Sequence, residues 1–222
     1  MMLEMTNTYI YLLLGVIFLI GFITNLREFL QYKKRNDFAY EYFNNLKKYI
    51  ESGGNDNISF TWLTSKSSKI QNQMGTFGIV GYKPPGANYI HNNYQLIVNG
   101  LSELRQNYSE RYIMDRLANE MAATLQEALI RYIGHLEDKV EASKSNLFNP
   151  IIAFREGVRL ILAIPFKLLG WFGIVSMSII YSFTTSTIFK IFSGIAAIVA
   201  LLGTVMSLVL GWSDFVKIIT GG

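Results

Sequence analysis

The sequence predicts an α+β membrane protein: an N-terminal transmembrane helix, a small cytoplasmic domain of helices with a two- or three-stranded antiparallel sheet, and a C-terminal amphipathic helix leading into a transmembrane hairpin. Three observations carry this expectation. Of the 222 residues, 50% are hydrophobic and only 16% charged. With a mean hydropathy of +0.25, the chain is too apolar for an ordinary soluble domain of this length. The apolar residues gather at the two ends, and the stretch between them is long enough to bury a core of its own. The division is therefore 1–26 for the N-terminal transmembrane helix, 27–148 for the cytoplasmic α+β domain, 149–167 for the interfacial helix, 168–212 for the hairpin and 213–222 for a cytoplasmic tail.

Residues 9–26 carry no charge, and a run of about 18 such residues meets the length needed to cross a bilayer as a helix. A cleaved signal peptide needs a basic start and small residues before the cut. Here the start carries Glu4 and the run ends Ile23-Thr24-Asn25-Leu26, so the segment is expected to stay. Arg27, Lys33, Lys34 and Arg35 follow it directly. Basic flanks are retained on the cytoplasmic side, so the N-terminus is expected outside and the middle inside.

The central residues begin with a helix over 26–51, with Ala39, Phe43, Leu46 and Ile50 on one face. Gly53-Gly54-Asn55-Asp56-Asn57 ends it. Residues 58–63 alternate and are rich in β-formers, and 76–82 is a second extended stretch, which together predict a small antiparallel sheet joined by a polar turn. Tyr89, Ile90, Tyr94, Ile97, Leu101 and Leu104 recur at helical spacing. A longer helix is expected over about 109–142, with Ile113, Leu117, Met121, Leu125, Leu129, Tyr132, Leu136 and Val140 as its apolar stripe.

The C-terminal block opens at Asn149-Pro150. Arg155, Glu156 and Arg159 stand among large apolar residues, the pattern of a helix lying at the membrane surface. Pro165 and Lys167 mark an expected bend. Residues 168–183 and 188–212 form the two arms, with a polar turn over 184–187 and Lys190 near the start of the second. The first arm is short, so it either starts upstream near Leu160, with Lys167 snorkelling towards headgroups, or is re-entrant. An odd number of spans, three, places the tail with Lys217 in the cytoplasm and Trp171 and Trp212 at the inner interface. Arg27, Lys33, Lys34, Arg35, Arg155, Arg159 and Lys167 are the expected lipid-headgroup residues. Ser193, Ala197, Ala200, Gly203, Ser207 and Gly211 put small side chains along one stripe, where helix backbones can approach closely against a neighbour or a second copy.

Chemistry leaves few traces. With no cysteine, disulfides, thiolate metal sites and cysteine nucleophiles are excluded. His91 and His135 lack metal-ligand spacing, and residues 75–84 are glycine-rich but end in Lys83-Pro84-Pro85 rather than the Lys-Ser/Thr of a phosphate loop opening a helix. Asp115, Glu120 and Glu127 read as an ordinary solvated helix face. The segment from Tyr89 to Gln95 is the densest polar-aromatic cluster, suited either to a binding groove or to core tyrosines between solvated asparagines. The net charge of +4 sits beside the apolar segments, which fits anionic lipid and topology rather than nucleic acid. Richness in Asn, Ile and Lys hints at an AT-rich bacterial genome.

These readings make the chain a non-enzymatic sensor or scaffold of the cell membrane. It would be multi-pass, with a cytoplasmic C-terminus, and without cofactor or metal. Its expected partners are the lipid bilayer, further copies of itself as a homo-oligomer, and a second protein. The alternatives are an oligomeric channel or membrane-disrupting effector gated by the cytoplasmic domain and, third, a membrane-bound enzyme.

Overall fold

The computed structural model describes residues 2–83, 88–109 and 115–210. It is mostly helical, with one two-stranded antiparallel sheet. The elements are α1 (Met2–Glu51), α2 (Asn57–Met74), a 3-10 turn (Gly75–Gly78), β1 (Ile79–Tyr82), β2 (His91–Gln95), α3 (Leu96–Ser109), α4 (Asp115–Leu147), α5 (Pro150–Trp171), α6 (Met177–Thr185) and α7 (Thr187–Leu210). Two compact units share them: Leu30–Ala142, and Met1–Phe29 together with Ser143–Gly222.

The unit Leu30–Ala142 has a closed core. Its part of α1 buries Phe38, Ala39, Tyr42, Leu46 and Tyr49, so the tyrosines belong to the inner face along with the aliphatic residues of the sequence pattern. The unit also buries Leu63, Ile70 and Met74 of α2, Leu96, Ile97, Leu101 and Leu104 of α3, and Met121, Leu125, Leu129, Tyr132 and Leu136 of α4. Aromatic edges lock the seam: Tyr42 lies 5.8 Å from Trp62, and Tyr49 lies 5.2 Å from Phe60 and 5.9 Å from Tyr108. Gln71, 5% exposed, joins three elements. Its Nε2 donates to the Gly78 carbonyl at 2.7 Å, and its Oε1 accepts from the Ile97 N–H at 2.9 Å.

Here the structure corrects the strand assignment. Residues 58–63 are helical, within α2. Asp56 caps the helix, its Oδ1 accepting from the N–H groups of Ile58 at 3.1 Å and Ser59 at 3.0 Å. The buried face of α2 is Ser59, Leu63, Ser67, Ile70, Gln71 and Met74, a helical period half hidden by small polar residues. The partner of β1 is instead β2, with Val80 opposite Tyr94 and an irregularity before Tyr82 pairs with His91. Tyr89 and Ile90 are exposed and precede that strand, so helix α3 starts only at Leu96. The long helix α4 matches the expected stripe from Leu117 to Val140, while Ile113 lies outside the described residues.

In the other unit, α1 is long and apolar enough to cross a membrane, and the pair α6 and α7, bent by 59°, passes the same test taken as one span. Helix α5 crosses α1 at close range without intervening side chains. A Cβ on Gly21 would lie 1.7 Å from the Ala153 carbonyl oxygen, and one on Gly157 would lie 2.0 Å from that of Ile17. Phe154, Val158 and Ala197 form the buried centre, packed by Leu14, Ile17, Leu162, Ala196 and Leu201.

The bend expected at Pro165 does not end the helix, because α5 continues through it to Trp171. The chain turns at Gly173, which has φ +74. Ile180 of α6 then packs against Gly170, and Phe166 meets Phe183 at 5.1 Å and Phe189 at 6.0 Å. So residues 168–183 are not one straight arm. The polar residues 184–187 hold the break between α6 and α7, where the Ser186 hydroxyl accepts from the Phe189 N–H.

Candidate functional site

Asn149 opens α5 as its N-cap, accepting from Ile151 and Ile152, with Pro150 at the first helical position, where its missing N–H costs nothing. The cap fixes the phase of the helix. Gly157 faces α1, while Ile152, Arg155, Glu156 and Arg159 border a cavity of about 380 Å³. Asn25 and Glu28 of α1, Asn146 of α4, and Lys190 and Ser193 of α7 complete its lining.

Glu156 organises the charges. Its carboxylate accepts from Arg155 at 3.2 Å and Arg159 at 3.1 Å, and its side chain is only 12% exposed against 50% and 32% for the two arginines. Each guanidinium carries five N–H donors, so these pairings leave most of them available. Three cations (Arg155, Arg159, Lys190) face two carboxylates (Glu28, Glu156), which leaves the lining with one net positive charge. Asn25 is 4% exposed, and its Nδ2 has no hydrogen-bond partner. Ser193, 1% exposed, donates to the Lys190 carbonyl at 3.1 Å. The cavity is thus rich in donors.

The expected headgroup residues divide. Arg155 and Arg159 meet in this cavity; Arg27 on α1 and Lys167 on α5 are exposed in the same unit and do not line it; Lys33, Lys34 and Arg35 belong to the other unit. Of the small-residue stripe, Ser193 and Ala197 are buried, whereas Ala200 and Gly203 are exposed. The side chain of Ser207, and Gly211, Trp212 and Lys217, lie outside the described residues. Sequence reading missed Asn25, Glu28, Lys190 and Ser193 as partners of the arginines. Lys190, a charge at the start of an apolar helix, was the available signal.

The unit Leu30–Ala142 holds a second polar group. Tyr82 and Tyr94, with ring centroids 4.3 Å apart, both donate to the carboxylate of Glu103. Burial raises both phenols above the usual tyrosine range, and the bonds to Glu103 raise them further. The cluster therefore stays as neutral phenols on a carboxylate, tying β1 and β2 to α3. His91 packs edge-on to Tyr89 at 5.1 Å and His135 lies 5.2 Å from the Phe77 ring. Among the described residues, no group of three or more His, Asp or Glu is placed to hold a metal ion. Comparison with protein-family models, with curated proteins and with solved structures finds no match.

Proposed function

We propose that this chain is an integral, multi-pass protein of a bacterial cell membrane that acts as a sensor or scaffold, its N-terminus outside and the Leu30–Ala142 unit in the cytoplasm. The observation that carries the reading is the outer surface of α1, α5, α6 and α7. Leu12, Leu19, Trp171, Phe172, Ile188, Ile191, Phe192, Ile198 and Leu202 are among the large apolar side chains exposed there. An apolar surface of that extent marks an interaction with lipid or protein. Its continuity over an N-terminal helix of spanning length favours lipid. The closed core of the other unit, with Leu63, Ile70, Leu104 and Leu129 all at 0% exposure, supports a module folded in water. We propose further copies of the chain, and a second protein docked on that module, as its partners.

Membrane fractionation tests the reading. The chain should stay in the pellet through alkaline carbonate washing and leave it only with detergent. Release by carbonate would refute integral insertion.

A second reading, an oligomeric channel or membrane-disrupting effector, is favoured by α7. A Cβ atom added at Gly203 meets nothing within 4 Å, so a second copy has room to approach that face.

A further inference from the structure

We propose that the cavity bordered by α1, α5 and α7 is a specific site for a phosphate-bearing anion, and that its occupant in the membrane is the phosphodiester of an anionic lipid headgroup. The lipid identity rests on the membrane reading above; the anion chemistry does not.

The lining supplies what a phosphate requires. Arg155 and Arg159 are held by one shared carboxylate, which fixes their guanidinium planes while leaving donors in the fork geometry that suits phosphate oxygens. Lys190 adds a mobile point charge from α7. Basic pockets between membrane helices on the cytoplasmic side are sites where phospholipid headgroups dock. Asn25 of α1 and Ser193 of α7 border the same space. At about 380 Å³ the cavity offers roughly the room of a dozen waters at about 30 Å³ each, enough for a phosphate and part of a glycerol.

The placement also suits a lipid. Asn25 and Glu28 stand where the uncharged run of α1 gives way to Arg27 and Glu28, the depth at which headgroups lie. Ile152 closes one side of the cavity with an apolar wall next to the exposed Ile151.

The test uses the full chain, purified in mild detergent and returned to nanodiscs of phosphatidylcholine, alone or with phosphatidylglycerol. Retained lipid is read by intact-mass measurement after controlled delipidation, and stability by thermal unfolding. The native chain should retain phosphatidylglycerol over phosphatidylcholine. Arg159→Gln and Lys190→Gln should each weaken retention about fivefold, the equivalent of about 1 kcal/mol per cation near a headgroup.

Inorganic phosphate is added in a parallel arm. If it displaces phosphatidylglycerol and raises the midpoint alone, the anion site stands and its occupant is a soluble phosphate. If it does neither while the lipid is retained, the headgroup is the occupant. Equal retention of the two lipids by the native chain, or unchanged retention in both Arg159→Gln and Lys190→Gln, would overturn the site and leave the membrane reading intact. Extraction of the chain by carbonate would overturn the membrane reading, and the phosphate arm alone would then decide the site.

Discussion

Replacing Gly157 by alanine perturbs the close crossing of α5 on α1. The added Cβ would lie 2.0 Å from the Ile17 carbonyl oxygen, where ordinary contact begins at 3.4 Å. The two helices must therefore part by about 1.4 Å (3.4 − 2.0) along that line. The obstructing atom is backbone, so no side-chain rotation relieves it. Overpacking of this kind costs about 1–3 kcal/mol, and the neighbouring approach at Gly21 opens with it. Glycine to alanine in a helix also gains about 1 kcal/mol from propensity, which obscures the effect in one variant taken alone.

Gly15→Ala supplies the control. It lies inside helix α1 on an exposed face, and nothing stands within 4 Å of its added Cβ. The difference between the two variants cancels the propensity gain and should equal the overpacking cost, about 1–3 kcal/mol in favour of Gly15→Ala. Because the chain has no cysteine, Ala163→Cys, at a position 3% exposed, gives a single local reporter of this unit. Its thiol should become reactive several degrees lower in the Gly157→Ala background, at about 2–4 °C per kcal/mol. Reactivity midpoints within about 1 °C of each other would refute the close crossing of α1 and α5.

Gln71→Leu should destabilise the Leu30–Ala142 unit by about 2–6 kcal/mol, since it leaves the Gly78 carbonyl and the Ile97 N–H buried without partners at about 1–3 kcal/mol each; denaturant unfolding by circular dichroism reads it, and a loss under about 1 kcal/mol would show that water replaces the bridge. Asp56→Ala should lower the unfolding midpoint at neutral pH. Bonds from the Ser59 hydroxyl and the Ser59 N–H hold the Asp56 carboxyl below its usual range. A depressed native pKa gives stability that is present above the unfolded value near 3.9 and lost as pH falls through the native one. The native chain and the variant should therefore converge in acid, and a gap that persists at low pH would contradict the cap. On overexpression, ion leakage that disappears with Gly203→Leu would place the exposed face of α7 between copies, because a Cβ added there meets nothing within 4 Å among the described residues. Leakage unchanged by the substitution would count against that face.

The long helices were legible in the sequence because their apolar residues recur with one period over many turns, as along α4, where Met121, Leu125, Leu129 and Leu136 all end buried. Length alone announced α1. Segments of five or six residues were not legible. Residues 58–63 hold Phe60, Trp62 and Leu63 in an order that suits a strand, and only the Asp56 cap and the burial of Ser59 and Ser67 make it a helix. Conversely, residues 91–95 hold two asparagines that weaken a helix, and β1 needed a partner. Pro165 lies inside α5, where its ring removes one hydrogen bond while the apolar faces carry the helix on to Trp171.

The cavity was half legible. Arg159 stands four residues after Arg155 and three after Glu156, so the group announces itself on one helix. Asn25 and Ser193 reach them only through tertiary packing, which no local pattern encodes.

The central claim is that the apolar helices lie in the bilayer and the Leu30–Ala142 unit lies in the cytoplasm. Single cysteines introduced at Asn7 and Ser68 in this cysteine-free chain, treated in intact cells with a membrane-impermeant maleimide, test it most directly. Asn7→Cys should label at once and Ser68→Cys only after the membrane is opened. Labelling of Ser68→Cys in intact cells, with Asn7→Cys protected, would contradict the orientation, and equal labelling of both would contradict insertion itself.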